Sequence, residues 1–168
     1  MVKIIAKFLK VLSSETDPGQ ISLGFCFAMV AGFTPFFSLH NLFVLLLVLL
    51  LRINLASFIL GLGLFSGIAY ILDPLFHTIG LAALSSATLE PLWVVLYNMV
   101  LFRLEHFNNS IVMGSLLVSA VLFIPLYLAS NWLIQKYRDT VLEWVRKLKI
   151  VQALKASRLF QVYQTLSG

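Results

Sequence analysis

Between Pro18 and Leu89 the only charged side chains are Arg52 and Asp73, joined by two imidazoles, His40 and His77, in an otherwise apolar stretch. An ionisable group amid apolar sequence is costly unless it faces water, a partner or a substrate, so binding chemistry is expected at these residues first. Asp73 stands before Pro74 and has three readings: a helix cap, an ion pair with Arg52, or a handler of ligand, proton or cation. Arg52 either snorkels to lipid headgroups or turns inward, where its planar donors suit a phosphate, with Asn54 placed to orient it. Thr34, before Pro35, completes the polar set. His40 and His77 are of a type that senses pH or binds metal, but without tight ligand spacing they read as ordinary hydrogen-bonded histidines. No metal and no cofactor is assigned. No Ser-His-Asp arrangement, phosphate-binding glycine loop or His-Glu-x-x-His stretch is present, so no catalytic residue is assigned and an enzyme is not expected.

The elements that must position these residues belong to a membrane. Of 168 residues, 60% are hydrophobic and 11% charged, and the mean hydropathy is +0.97. In water that density of apolar residues leaves large sticky patches. The net charge of +5 sits at the ends: Lys3, Lys7 and Lys10 at one, and Lys136, Arg138, Arg146, Lys147, Lys149, Lys155 and Arg158 at the other. The positive-inside tendency therefore places both termini in the cytoplasm, and nucleic-acid binding is a poor reading of the excess. The single Cys26 excludes an intramolecular disulfide and reads as packing.

Residues 1–13 alternate lysines with Ile4, Ile5, Phe8 and Leu12 and read as an amphipathic interfacial helix rather than a signal peptide. The uncharged run 18–51 would form a helix roughly 50 Å long, against a hydrocarbon core about 30 Å thick. It must fold back, and Gly32-Phe33-Thr34-Pro35 supplies the break. Each leg, about 24–26 Å long, is slightly short for a full span, which favours a re-entrant hairpin over two crossings. Residues 54–89 show the same layout, broken at Asp73-Pro74. Thr34-Pro35, Asp73-Pro74 and Glu90-Pro91 all read as helix beginnings, proline suiting the first helical position. Spans follow at about 90–107 and 110–135, with Asn108-Asn109 at the turn between them and Pro125 as a kink. Gly61, Gly63 and Gly67 read as helix packing. Residues 136–168 form a basic amphipathic cytoplasmic tail. The expected fold is thus an all-α integral membrane protein, with a membrane domain over 18–135 and amphipathic helices at both termini.

Gly24, then Gly32-Phe33-Thr34-Pro35, then Arg52-Ile53-Asn54, then Asp73-Pro74-Leu75 with Gly80 beyond, stand in an order that resembles the bacterial membrane proteins grouped as domain of unknown function two-zero-six-two. The likeness covers roughly residues 18–135, and the chain departs from the family pattern in carrying Asp73 where Asn is common. The chain is similar to a subfamily found in bacteria with outer membranes, often encoded beside a large protein that looks envelope-spanning. The resemblance implies an inner-membrane location and that protein as a partner.

Broken helices place N-terminal backbone donors within the membrane, where they suit an anionic headgroup. The expected function is that of a small inner-membrane subunit that helps pass phospholipid, or another anionic amphiphile, with its larger partner. The alternatives are a self-contained transporter coupled to protons or cations through Asp73 with His40 or His77, and a structural anchor.

Overall fold

A computed structural model describes residues 17–147. Among them no strand occurs, and six helices follow one another: α1 Pro18–Phe33, α2 Leu39–Leu50, α3 Leu55–Leu84, α4 Glu90–Asn98, α5 Val100–Leu104 and α6 Ser110–Lys147. The expected helix over 1–13 and the tail beyond residue 147 lie outside the described residues. α3 over Leu55–Leu84 and α6 over Ser110–Thr140 are long and apolar enough to cross a membrane, which is consistent with a membrane location. The chain divides into two compact units at Asn131–Trp132. Within the second, the Lys136 ammonium lies 4.7 Å from the centre of the Trp132 ring.

α1 starts at Pro18, whose fixed backbone and missing donor suit a first helical position, and the Asp17 carboxylate accepts from Gly19 N at 3.2 Å. It is the helix the first unit is built around. Ala28 and Ala31 join Val44, Val48, Ile53 and Phe58 in one buried cluster, while Met29 and Phe33 join Ala69 and Phe76 in another. Phe33 meets Phe76 at 5.1 Å and Phe65 edge-on at 5.6 Å. α2, by contrast, buries only Val44 and Val48, four residues apart on one face. Its leucines from Leu42 onward and Phe43 are exposed, which would suit a helix that faces lipid.

The turn from α2 to α3 is a Schellman motif, with Ile53 N donating to Val48 O at 3.1 Å and Arg52 N to Leu49 O at 3.3 Å. Ile53 and Val48 share a buried cluster, supplying the hydrophobic contact that goes with the motif. The left-handed position, usually glycine, is held by Arg52 with φ 50°. An L side chain there is strained by about 1–2 kcal/mol. Arg52→Gly is accordingly expected to stabilise the fold by about 1 kcal/mol, read as a raised melting temperature of the detergent-solubilised chain. Arg52→Ala should leave it unchanged or lower. Asn54 caps α3, its carbonyl accepting from Ser57 N at 2.8 Å while Ser57 Oγ donates back to Asn54 O at 2.7 Å.

Three expectations are corrected here. Asp73-Pro74 is no break: α3 runs uninterrupted from Leu55 to Leu84 with Pro74 inside it, so this stretch holds one long helix and not a hairpin. Proline removes one backbone bond, but Ala69, Phe76 and Gly80 are buried on either side of it. Apolar helices tolerate such a residue when packing holds both flanks. Next, residues 90–107 are not one span. Nine-residue α4 and five-residue α5 are divided by extended Met99, and together they reach only about 20 Å. The cause is local, because the Asn98 side chain donates to Val94 O at 2.9 Å and competes with the continuing helix. Finally, of the three glycines read as packing, Gly61 lies against Ala28 and Phe25, whereas Gly63 and Gly67 meet nothing within 4 Å.

α6 begins where Asn109 Oδ1 accepts from Ile111 N at 2.9 Å, and it continues through Pro125 to Lys147. It crosses α3 with backbone against backbone. A Cβ on Gly80 would fall on the Ser110 carbonyl, and one on Gly114 would fall on that of Phe76.

Candidate functional site

The break at Gly32–Pro35 is present. α1 stops at Phe33, and Thr34 turns extended, as a residue before proline must. The break ends one residue short of Leu39, where α2 starts behind Ser38. Thr34 is therefore a C-terminal cap of α1 and not the start of the next helix. Its buried hydroxyl donates to Val30 O at 2.9 Å and lies 3.2 Å from Asn41 Oδ1. Asn41 holds the turn together, its amide nitrogen lying 3.0 Å from Pro35 O, 3.3 Å from Phe36 O and 3.3 Å from Ala31 O. Carbonyls that the helix end leaves unpaired thus find a donor without water.

At the start of α2, Ser38 holds the capping position but makes no cap; its Oγ lies 3.1 Å from His40 Nε2. Glu105, just past α5, supplies the cap instead. Its two carboxylate oxygens accept from His40 N at 3.1 and 3.0 Å, and one of them also meets His40 Nδ1 in an ion-pair contact. A negative charge at a helix N-terminus is favourable, and this one is mostly shielded, with the Glu105 side chain 13% exposed. Hydroxyl, imidazole and carboxylate are lined up in the order that passes a proton along a chain. Beside them Phe36 and Phe37 stack edge to face at 5.3 Å and point outward, Phe37 being 98% exposed.

The residues singled out from sequence do not converge. Thr34 and His40 share the break, Arg52 and Asn54 share the Schellman turn, and Asp73 and His77 lie one turn apart on α3. His77 is exposed and its Nδ1 lies 2.6 Å from Ser110 Oγ, beside the glycine crossing. Asp73 sits half-buried inside a helix, so it caps nothing, and it makes no ion pair with exposed Arg52. Pro91, in the first turn of α4, is a helix start as expected. Sequence reasoning missed Ser38, Asn41 and Glu105. Ser38 carried the ordinary capping signal one residue before an apolar helix; the other two owe their roles to contacts reached across the fold.

The family described as an uncharacterized protein conserved in bacteria, DUF2062, matches residues 3–142. This chain belongs to that family. The DUF2062 match extends past both edges of the stretch in which the motifs lie. A protein of Treponema pallidum (strain Nichols), described as an uncharacterized protein, is 23% identical over 138 residues, covering 82% of this chain and 85% of its own length. No solved structure matches.

Proposed function

We propose that this chain is a small inner-membrane subunit, with both termini in the cytoplasm, that helps a larger envelope-spanning partner pass phospholipid or another anionic amphiphile out of the bilayer. One observation carries the reading. Two apolar helices, each shorter than a span, meet at a turn whose backbone polar groups are tied to Thr34, Asn41 and Glu105. Irregular backbone is tolerated at membrane depth only where protein or a lined cavity satisfies it, and interrupted helices are where membrane transporters hold their cargo. The outward Phe36 and Phe37 rings offer an acyl chain an apolar rest next to that turn. Catalysis is no part of the proposal.

The test is purification in mild detergent with analysis of bound lipid, paired with deletion in the native cell. Phospholipid should co-purify, and deletion should change the lipid distribution between inner and outer membranes. A lipid-free protein together with an unaltered distribution would overturn the role.

A second reading, a transporter coupled to protons or cations, is favoured by Asp73. Its carboxylate lies half-buried in the interior of an apolar helix without a hydrogen-bond partner among the described residues. Such a group is costly unless it serves a pathway. On that reading the reconstituted chain alone moves solute with a pH dependence that Asp73→Asn abolishes; the subunit reading expects the isolated chain to be inert.

A further inference from the structure

A recess of about 400 Å³ opens between the end of α3, α4 and the turn before α6, away from the residues used so far. Three of its walls are aromatic: Trp93, Tyr97 and Phe107, with Trp93 6.2 Å and Tyr97 6.5 Å from the Phe107 ring centre. Phe107 is buried and backed edge-on by Phe102 at 6.3 Å. Trp93 is fixed in place by Nε1 donating to Ala83 O at 3.1 Å, so its one donor is occupied and its ring lines the recess as aromatic surface. Leu84 and Val94 add apolar surface, and the remaining lining is polar. Glu90 brings a carboxylate with no hydrogen-bond or ion-pair partner among the described residues, and Asn98 and Asn108 bring carboxamides.

The ligand class follows from that combination. Aromatic faces carry negative quadrupole density and attract a diffuse, weakly hydrated cation, above all a substituted ammonium. A hard metal ion is usually held by several oxygen ligands, carboxylates among them, and the recess offers one carboxylate beside two carboxamides. A cation gains a counter-charge from the Glu90 carboxylate that an uncharged solute does not. We infer that this recess binds a substituted ammonium group, with the rings of Trp93 and Tyr97 against the cation and Glu90 as its counter-charge. In a zwitterionic phospholipid the phosphate lies a few bonds from the ammonium, where the Asn108 amide can donate to it. That lipid source rests on the phospholipid reading above; recognition of the ammonium does not, and a free ammonium solute has the same chemistry.

The test uses the full chain in non-ionic detergent with Trp132→Phe and Trp144→Phe, leaving Trp93 as the only indole, and follows its fluorescence. Three probes are compared: dihexanoyl phosphatidylcholine, dihexanoyl phosphatidylglycerol with the same chains but no ammonium, and tetramethylammonium chloride. Phosphatidylcholine should bind about tenfold or more tightly than phosphatidylglycerol, and Glu90→Gln and Tyr97→Leu should each weaken it about fivefold to tenfold. Both substituted side chains are exposed, so the melting temperature of the unliganded protein serves as the check on folding. Tetramethylammonium binding that matches the lipid supports the site with a free solute as its ligand, and much tighter lipid binding supports the headgroup. Equal affinity for the two lipids with no response to tetramethylammonium, or indifference to both substitutions, overturns the inference. The deletion experiment bears on lipid passage and can fail while ammonium binding stands, so the two failures are separable.

Discussion

Gly114→Ala is expected to destabilise the protein by about 3 kcal/mol or more, and Gly114→Val to leave little folded chain after solubilisation. The reason is the crossing of α3 and α6. A Cβ built on Gly114 lies on the Phe76 carbonyl, 2.6 Å from its carbon, and one on Gly80 lies 2.7 Å from Gly114 N. The obstacle is main chain on both sides, which has no rotamer into which to retreat, so the helices must part. Parting them loosens Phe76, wholly buried between Phe33 and its neighbours, and forfeits contacts along both helices. Gly63→Ala and Gly67→Ala are the matched controls. Nothing lies within 4 Å of either position, and exchanging glycine for alanine in a helix should there be neutral or gain up to about 1 kcal/mol. Thermal unfolding of the four variants in one detergent decides the matter. Alanine at 114 melting like alanine at 63 would mean that the close crossing is wrong.

Glu105→Ala should have the next largest effect, a loss of about 2 kcal/mol. The carboxylate caps α2 and pairs with His40 across 65 residues of sequence, so its removal leaves the α2 first turn and a half-buried imidazole without their partner. His40→Ala removes the ring but keeps the backbone donor, and should cost less. The double variant should therefore be less destabilised than the sum of the singles, by about 1 kcal/mol or more. Strict additivity would show that ring and carboxylate do not act together. Glu105→Gln keeps an acceptor for His40 N and should fall between wild type and Glu105→Ala.

Local chemistry was readable wherever one short segment decides the outcome. Gly32 through Pro35 ends a helix because proline constrains the residue before it, Pro91 starts one, and Asn109 closes the turn into α6. Pro74 obeys the same local rule yet lies inside a helix, since residues packed on both its flanks outweigh the loss of one backbone bond. Met99 is the reverse case: an apolar stretch that reads as one span is cut by an asparagine bonding back to its own turn. The polar cluster at the first break was only half legible. Thr34 and His40 announced themselves by type, but the carboxylate that answers His40 comes from an unremarkable Arg-Leu-Glu-His turn and becomes visible only once the chain is folded.

On the membrane placement proposed above, arginine in the tight turn after α2 would also work as a depth gauge. A guanidinium held in that turn seeks the headgroup plane, and the twelve-residue helix ahead of it is then a rod about 18 Å long reaching inward. Its far tip, with Phe36 and Phe37, would on that placement stop about 12 Å short of the opposite leaflet's surface. Those two rings would then stand among the acyl tails of the distant monolayer, touching lipid that the headgroup-level arginine never meets.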